Sequence, residues 1–516
     1  MKAASSATVP GLLRWRASAS PEAVFIVFED AGGGRHELTY ADVWQRAQAT
    51  AGLLAGHGVG AGDRVLVALP NCLEFFDLWF ATGILGAMLV PVSPVSTPDE
   101  LAWNLTDSSC RACVGDATTA VSLRKAQDLA GAPSPILTGL TGPGKSTAPN
   151  APLPCRSGQE DIAAILYTSG TTSRPKGVLV THANYVFVGE AVAGHLRIRP
   201  DDRWLIVLPL FHANAQYYCT MSALVTGGSL AVTARFSASG WGRQAAELGA
   251  TLASLFAAPV RMILAAPEQP HDRRNRLRAT LFAQNLTGTQ VAEFSRRFGT
   301  PLLQLYGMTE TVGPPTCNPL FGEQRPDSIG LPLAGARLRV VDSGGRDVPA
   351  GRAGELLVGG EPGRTLMAGY LNRPDATEAA LRDGWLHTGD LVSVGADGYL
   401  YFVDRAKDMI KRAGENVAAS EVERVINEHP AVFESAAVGV PDAVRDEAIV
   451  VHVVPKAAAS VSEPELLAWC RERLAPFKVP SAIRFADELP RTSVGKIRKD
   501  VLRRHEAGGN TPGGNL

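Results

Sequence analysis

Residues 165–180 read ILYTSGTTSRPKGVLV, and this stretch decides the architecture. An apolar run enters, ten mostly polar or small residues follow from Thr168 to Gly177, and a second apolar run leaves. The ten carry five hydroxyls, on Thr168, Ser169, Thr171, Thr172 and Ser173, around Gly170, and end in Lys176 and Gly177. Small residues let backbone N–H groups approach an anion, hydroxyls add donors and a lysine adds charge; together they suit a polyphosphate. The pattern GxxxxGK[ST] does not match, because Lys176 precedes Gly177, so this is not a Walker A loop. A flexible Ser/Thr/Gly linker has a similar composition, but linkers are not usually anchored at both ends by buried apolar segments.

Outward from this loop the first ~400 residues alternate helical and strand patterns. Ala41–His57 reads as an amphipathic helix with Leu53 and Leu54 on its apolar face, and Arg64–Leu69 as a buried strand ended by Pro70. Leu78–Val95 carries no charge over 18 residues, which approaches a membrane span. Gly83, Gly86, Pro91 and Pro94 interrupt it and Asp77 precedes it, so it reads instead as a helix to about Ala87 and a strand Met88–Val92. The rhythm recurs at Trp204–Leu208, Tyr217–Leu224 and Leu230–Thr233, predicting α/β layers with largely parallel sheets. Pro133–Ser157 reads as an exposed connection. Near residue 330 the texture changes to short β-rich runs, Ala336–Val341, Gly354–Val358 and Gly398–Val403, which suggest a smaller antiparallel unit. From about 405 a compact α+β segment follows: a helix Ser420–Glu428 opened by Ser420, strands Ser435–Val440 and Ile449–Val454, and a helix Glu463–Leu474. Residues 506–516 read as a disordered tail.

Bulk properties exclude several classes. The 516 residues correspond to about three typical domains. Lys and Arg number 50 against 51 Asp and Glu, so bulk positive charge on nucleic acid or an anionic membrane is not the mode of action. Seven cysteines rule out a disulfide-dense secreted scaffold, and Cys110 and Cys113 form a lone CxxC that reads as packing thiols, not a zinc site. The N-terminus lacks a signal-peptide core, which leaves the cytoplasm as the expected compartment. The 52 glycines and 35 prolines imply many tight turns or backbone-lined loops.

TSGTTSRPKG is similar to the signature loop of the adenylate-forming superfamily: acyl-CoA synthetases, nonribosomal-peptide adenylation domains and beetle luciferases. In that family's order there follow PLFHANAQ (209–216), YGMTET (306–311), WLHTGD (385–390), DRAKDMIKRAGENV (404–417) and PRTSVGKIRK (490–499), a resemblance over roughly residues 15–505. FHANAQ, FAQNLTGTQ (282–290) and GENVAASEVE (414–423) look most like the bacterial crotonobetaine/carnitine–CoA ligase-like branch. The resemblance implies an N-terminal AMP-binding domain over 1–403 with its β-rich subdomain at about 330–403, a hinge at 404–410 and a small mobile C-terminal domain over 411–505. It also implies two steps. A carboxylate attacks the α-phosphorus of Mg-ATP to give acyl-AMP and pyrophosphate, and a thiol, usually that of coenzyme A, then displaces AMP. Negative charge concentrates on the phosphates in the first step, so positioned cations and N–H donors carry the catalysis.

By resemblance, Lys496 bridges the carboxylate and α-phosphate, Glu310 ligates Mg²⁺, and Thr309 hydrogen-bonds the α-phosphate. Thr168, Ser169, Gly170, Thr171, Thr172 and Lys176 cradle the phosphates, Tyr306 lies at the adenine, and Asp390 takes the ribose hydroxyls with help from Arg405. Lys407 matches the hinge position, Gly414 the path of the pantetheine thiol, and Lys411 and Asn416 positions that contact nucleotide. His212 matches a gate where acyl group and thiol meet, and is not expected to be a general base. Lys499 and Arg498 read as a solvated basic patch beside the tail. The chain departs from the pattern at Ala283-Gln284-Asn285-Leu286, where relatives carry a Gly-Ala-Pro type segment. The acyl pocket is expected to be walled by Asn214, Gln216, Tyr217, Tyr218, Gln284, Asn285 and the surroundings of Gln304, for a small-molecule carboxylic acid that these residues do not identify. Tyr217 and Tyr218 suit a trimethylammonium head, but no acid is expected beside them. The rival readings are an adenylating enzyme that passes acyl-AMP to a carrier protein or second enzyme in trans, and a nucleotide-binding regulator without catalysis. The oligomeric state is left open.

Overall fold

The computed structural model describes residues 7–139, 152–168, 174–412, 415–442, 446–457, 459–492 and 497–507. Apolar runs too short for helices become the strands of two sheets. In a seven-stranded sheet, Ile162–Thr168 runs parallel to Met88–Pro91, Arg64–Ala68, Ala112–Gly115 and Ile136–Thr138, in that order. On its other side Ile162–Thr168 pairs antiparallel with Lys176–Thr181, so the two arms of the hydroxyl-rich loop form a hairpin. In a nine-stranded sheet, Leu302–Tyr306, Ala279–Ala283, Leu252–Phe256, Arg203–Ile206, Ser229–Thr233 and Val24–Glu29 are parallel, with antiparallel edges.

The uncharged stretch after Asp77 is the helix Leu73–Leu85, buried from Phe75 to Leu85, so its all-round hydrophobicity is that of a core helix. Its Phe75, Phe76 and Trp79 join one core cluster with Leu305 of the nine-stranded sheet and with Leu356 and Val392 of the β-rich unit. That unit is an antiparallel sheet of Arg337–Val341, Gly354–Gly359, Trp385–Val394, Leu381–Arg382 and Leu400–Arg405. After Arg405 the chain enters a sheet of Ile410–Arg412, Glu415–Val417, Val432–Asp442, Asp446–Pro455 and Ala482–Phe485. This last sheet and its helices have their own core, from Ile410 and Val422 to Leu466 and Ile483.

Several local expectations differ. Ile136–Thr138 lies within the expected exposed connection, yet pairs with Ala112–Gly115 and buries Leu137. The segment expected as the helix Tyr217–Leu224 is a π-helix Asn214–Met221 continued by Ser222–Thr226. The helix expected to open at Ser420 is Ala419–Asn427, capped at Ala418; Ser420 instead donates its hydroxyl to the Val403 carbonyl and its N–H to Asp404. Residues 506 and 507 end the helix Lys499–Ala507, and the rest of the expected tail, 508–516, lies outside the described residues. Cys110 and Cys113 are buried free thiols, and Cys110 lies 2.9 Å from the Ser108 hydroxyl.

Asp77 is 1% exposed and accepts two hydrogen bonds from Arg46, at 3.0 and 2.6 Å. Burial pushes its carboxyl up to about 6. An unfolded Asp titrates near ~3.9, so between these values the folded chain holds a proton that the unfolded chain has released, and stability falls as pH rises through that window. Removing the guanidinium raises the folded value further and carries the loss to higher pH. Arg46→Met should therefore cost about 3 kcal/mol at pH 8 and less at pH 5 in denaturant unfolding. Equal losses at both pH values would mean that Arg46 acts through packing alone.

Candidate active site

The strand Leu302–Tyr306 ends in the turn that carries Thr309 and Glu310. Tyr306 is buried, and its hydroxyl donates to Asp390 Oδ2 at 2.6 Å. Asp390 is 2% exposed and lies opposite Arg405 across two paired strands, with Arg405 Nε 3.2 Å from Oδ1. Burial drives the Tyr306 phenol far above its ordinary value, so it is a fixed donor. Burial works against the Arg405 charge, but Asp390 and its other partners hold that guanidinium above its ordinary value. The residues expected at adenine and ribose are thus brought together by the ends of two strands and the middle of a third.

Glu310 lies four residues beyond Tyr306 and is 6% exposed. Among the described residues its side-chain hydrogen-bond partner is a neutral group, the Tyr370 hydroxyl, which donates to Oε1 at 3.0 Å. A buried carboxylate with a neutral partner calls for a cation, and its hard oxygens suit magnesium. Among the described residues no group of three or more His, Cys, Asp or Glu side chains is placed to hold a metal. Magnesium characteristically binds through one or two carboxylates plus substrate phosphates, and Glu310 fits that mode. The Thr311 hydroxyl takes the hydrogen bonds of this turn, accepting from Met308 N–H and donating to the Met308 and Gly313 carbonyls at 2.9 Å. Thr309 is half-buried, and its carbonyl accepts from the Tyr217 hydroxyl at 3.4 Å.

Thr168 and Lys176 face each other at the mouth of the hairpin, with the Thr168 hydroxyl 3.5 Å from the Lys176 carbonyl. The Lys176 ammonium lies over the Tyr370 ring, 4.5 Å from its centroid. Gly177 is required by close approach: a Cβ there would sit 2.7 Å from Ile165 Cγ2. Ser169, Gly170, Thr171 and Thr172 lie outside the described residues, as do Gly414 and Lys496. The arms around Lys496 are fixed, with Arg498 N–H donating to the Pro490 carbonyl at 2.7 Å and Arg491 bridged to Ile497. Lys411 and Asn416 are exposed and lie opposite each other on the hairpin that carries Gly414.

The residues expected at the acyl pocket separate into two sets. Gln216 is fully buried, accepting from the Tyr185 hydroxyl at 2.5 Å and donating to the Leu210 carbonyl at 2.8 Å, so its amide is committed to the core. Tyr217 is fully buried too, edge-on to Tyr185. Tyr218 is 6% exposed and lies against Gly307. Asn214 is 5% exposed, and its buried side-chain oxygen has no hydrogen-bond partner among the described residues. Gln284 stands at φ +77°, a left-handed conformation uncommon for a residue other than glycine, and its carbonyl accepts from Gln304 at 3.1 Å. Asn285 is exposed, and its carbonyl accepts from Arg261 at 2.7 Å. His212 packs edge-on to Phe256, 6.0 Å between ring centroids.

At the hinge segment, the buried Asp404 accepts from Arg405 N–H at 2.7 Å and Ser420 N–H at 3.2 Å, and Asp408 pairs with Arg503 at 2.5 Å. Lys407 lies between these carboxylates in sequence. Lys499 is not part of a solvated patch. It pairs with Glu423 at 2.7 Å, and although burial opposes its charge, Glu423, Asp404 and Asp408 hold it protonated. Arg498 stays 41% exposed beside Asp500. Tyr370 is the contact the motifs did not reveal, because it depends on a pairing between distant strands.

Residues 13–371 match the family described as AMP-binding enzyme, and residues 421–496 match the AMP-binding enzyme C-terminal domain. The chain is similar to the crotonobetaine/carnitine–CoA ligase of Salmonella typhimurium, 35% identical over 492 residues that cover 93% of this chain and 95% of that one. It resembles ATP-bound MatB from Rhodopseudomonas palustris with a TM-score of 0.85 and 29% identity, covering 96% of this chain and 98% of that one. With o-succinylbenzoate–CoA synthetase from Bacillus subtilis, solved with its acyl-adenylate intermediate, the TM-score is 0.86 at 28% identity, covering 99% of this chain and 100% of that one.

The Tyr306–Asp390 contact is testable without substrate. In a double-mutant cycle of Tyr306→Phe and Asp390→Asn, thermal unfolding should report a coupling energy of about 1–2 kcal/mol. Strictly additive losses would show that the two groups do not depend on each other.

Proposed function

From the premise that this chain belongs to the AMP-binding enzyme family, we propose which of its residues carry the reaction. It is an AMP-forming acid–CoA ligase: ATP and a carboxylic acid give acyl-AMP and pyrophosphate, and coenzyme A then takes the acyl group as a thioester with release of AMP. The reading of the site is carried by one observation. Tyr306 and Glu310, four residues apart, each anchor a cluster, so that Asp390 and Arg405 lie at one end of a short segment and Lys176 at the other.

In this reading the nucleotide lies along that segment. Tyr306 flanks the adenine while its hydroxyl fixes Asp390, whose remaining lone pairs accept the ribose hydroxyls. Arg405 orients Asp390. Thr309 faces the α-phosphate, since Thr311 takes the hydrogen bonds of the turn. Thr168, Lys176 and the loop between them hold the β- and γ-phosphates. Magnesium, held by Glu310 and the substrate's phosphates, supplies neutralisation of their charge when bound. Lys496 neutralises the carboxylate and the α-phosphate as these two anions meet, which lowers the barrier through electrostatics and not through proton transfer. Adenylation is needed because oxide is no leaving group, whereas AMP is.

The small C-terminal unit presents Lys496 in the first step and the Gly414 hairpin in the second, turning at Lys407. His212 and Phe256 stand at the meeting point of acyl group and thiol. The acid itself is framed by Asn214, Gln284 and Asn285; Tyr217 and Tyr218 are packed into the core, so neither presents an exposed ring to a trimethylammonium head. We place the enzyme in the cytoplasm, where its nucleotide and coenzyme A are found. Among the described residues no helix is long and apolar enough to cross a membrane.

A panel of carboxylic acids run with hydroxylamine and separately with coenzyme A should give hydroxamate and thioester with the same acids. Hydroxamate without thioester would leave only the first step, and neither product with any acid would remove the catalytic reading. Lys496→Ala should lower hydroxamate formation by roughly 10²–10³ while supplied acyl-AMP is still converted to thioester within a few-fold of the parent rate. Adenylation near the parent rate would overturn the role of Lys496. Gly414→Leu should show the reverse pattern, and equal loss of both steps would contradict the two-face arrangement.

A further inference from the structure

Tyr370 belongs to none of the motifs that point to nucleotide chemistry, yet two charged groups of the site meet on it. Its hydroxyl donates to Glu310 Oε1 at 3.0 Å, and its ring face carries the Lys176 ammonium at 4.5 Å from the centroid. Its backbone is held from several sides. Gly369–Tyr370 pairs antiparallel with the strand Lys176–Thr181, Tyr370 opposite Val178. Leu371 N–H donates to the Gly177 carbonyl at 2.8 Å and Ala368 N–H to the Leu179 carbonyl at 2.9 Å. Met367 N–H donates to the backbone carbonyl of Glu310 itself at 3.0 Å, and Tyr370 N–H to the Thr377 hydroxyl at 2.9 Å. Residues 367–371 therefore splice the exit arm of the phosphate loop to the segment that carries Glu310.

The chemistry of a phenol matters at this point. An Arg or Lys in place of Tyr370 would neutralise Glu310 and compete with a divalent cation for it. A neutral O–H orients one carboxylate oxygen and leaves the negative charge and the other oxygen available. The ring face likewise holds the ammonium of Lys176 by its quadrupole without cancelling its charge. A Glu and a Lys this close to a shared neighbour would, without it, be free to close on each other as an ion pair, and each would lose its capacity for magnesium or phosphate.

We propose that Tyr370 is a positioning residue that spaces the Glu310 carboxylate from the Lys176 ammonium, so that one takes the magnesium and the other the phosphates of the same nucleotide. This rests on the roles given above to Glu310 and Lys176. Its signature is coupling between magnesium and nucleotide: removing the hydroxyl should weaken ATP binding only when magnesium is present.

The test is calorimetric binding of ATP to the full chain, without acid or coenzyme A, in magnesium and in EDTA, for the parent, Tyr370→Phe, Tyr370→Leu and Glu310→Gln. Tyr370→Phe should weaken binding roughly tenfold in magnesium and less than about twofold in EDTA, with a loss of thermal stability no larger than one buried hydrogen bond. Tyr370→Leu, which also removes the ring face, should weaken binding in both conditions. The proposal is overturned if Tyr370→Phe binds as the parent does, or loses equally in both conditions, which would mark a purely structural side chain. If Glu310→Gln keeps the parent's response to magnesium, the role of Glu310 fails first. If Glu310→Gln loses that response while Tyr370→Phe keeps it, only the spacing role of Tyr370 falls.

Discussion

The structure depends on a buried carboxylate that no single element can satisfy. Asp390 is 2% exposed, and its two oxygens are met by the Tyr306 phenol and the Arg405 guanidinium. An ionised carboxylate in that environment costs several kcal/mol unless it is paired and hydrogen-bonded. Its partners come from the end of a strand in the nine-stranded sheet and from the last strand before the small C-terminal unit. Satisfying Asp390 therefore closes the β-rich sheet onto the parallel one and fixes where the hinge segment begins. Glu310 follows on the same short segment as Tyr306, and through Tyr370 it reaches the phosphate-loop hairpin of the other sheet. The positive charge the chemistry needs is local and does not show in the net charge of −1.

The same logic governs the hinge. Asp404 is buried and satisfied by two backbone N–H groups, of Arg405 within the segment and of Ser420 beyond it. Lys499 and Glu423 sit against this carboxylate, and Arg503 holds Asp408. In the reading proposed above, a small unit that turns at Lys407 exchanges the Ser420 and Lys499 contacts for others while keeping a buried acid satisfied. That requirement favours two discrete arrangements over a continuum.

Much of this was legible in the sequence because it was local. The apolar runs around Thr168–Gly177 are antiparallel strands, and the alternation before residue 330 is two largely parallel sheets. Motif order was enough to bring Tyr306, Asp390 and Arg405 into one reading, and the structure places them within hydrogen-bonding distance. What escaped was set by distant partners. Tyr370 is an ordinary residue until the pairing with Val178 carries it to Glu310 and Lys176. Lys499, in the run KIRK, has the local look of a solvated lysine, and its burial is made tolerable by Glu423, Asp404 and Asp408, which are distant in sequence. Ser420 has the chemistry of a helix cap but finds better acceptors across the hinge. The π-helix at Asn214–Met221 has i→i+5 hydrogen bonds that a 3.6-residue period cannot reveal. Gln284, in the stretch that departs from the Gly-Ala-Pro pattern, stands at φ +77°, a conformation that its residue type does not announce.

The central claim is that these groups converge on the α-phosphorus and direct a carboxylate oxygen to it. The most direct test follows that oxygen. With an ¹⁸O-labelled carboxylic acid, ATP and coenzyme A, attack at the α-phosphorus leaves one labelled oxygen bridging acyl group and phosphate, and thiol attack on the carbonyl carbon releases it on AMP. The account predicts AMP carrying a single ¹⁸O and unlabelled pyrophosphate. Label in orthophosphate with formation of ADP, or AMP released without label, would contradict it.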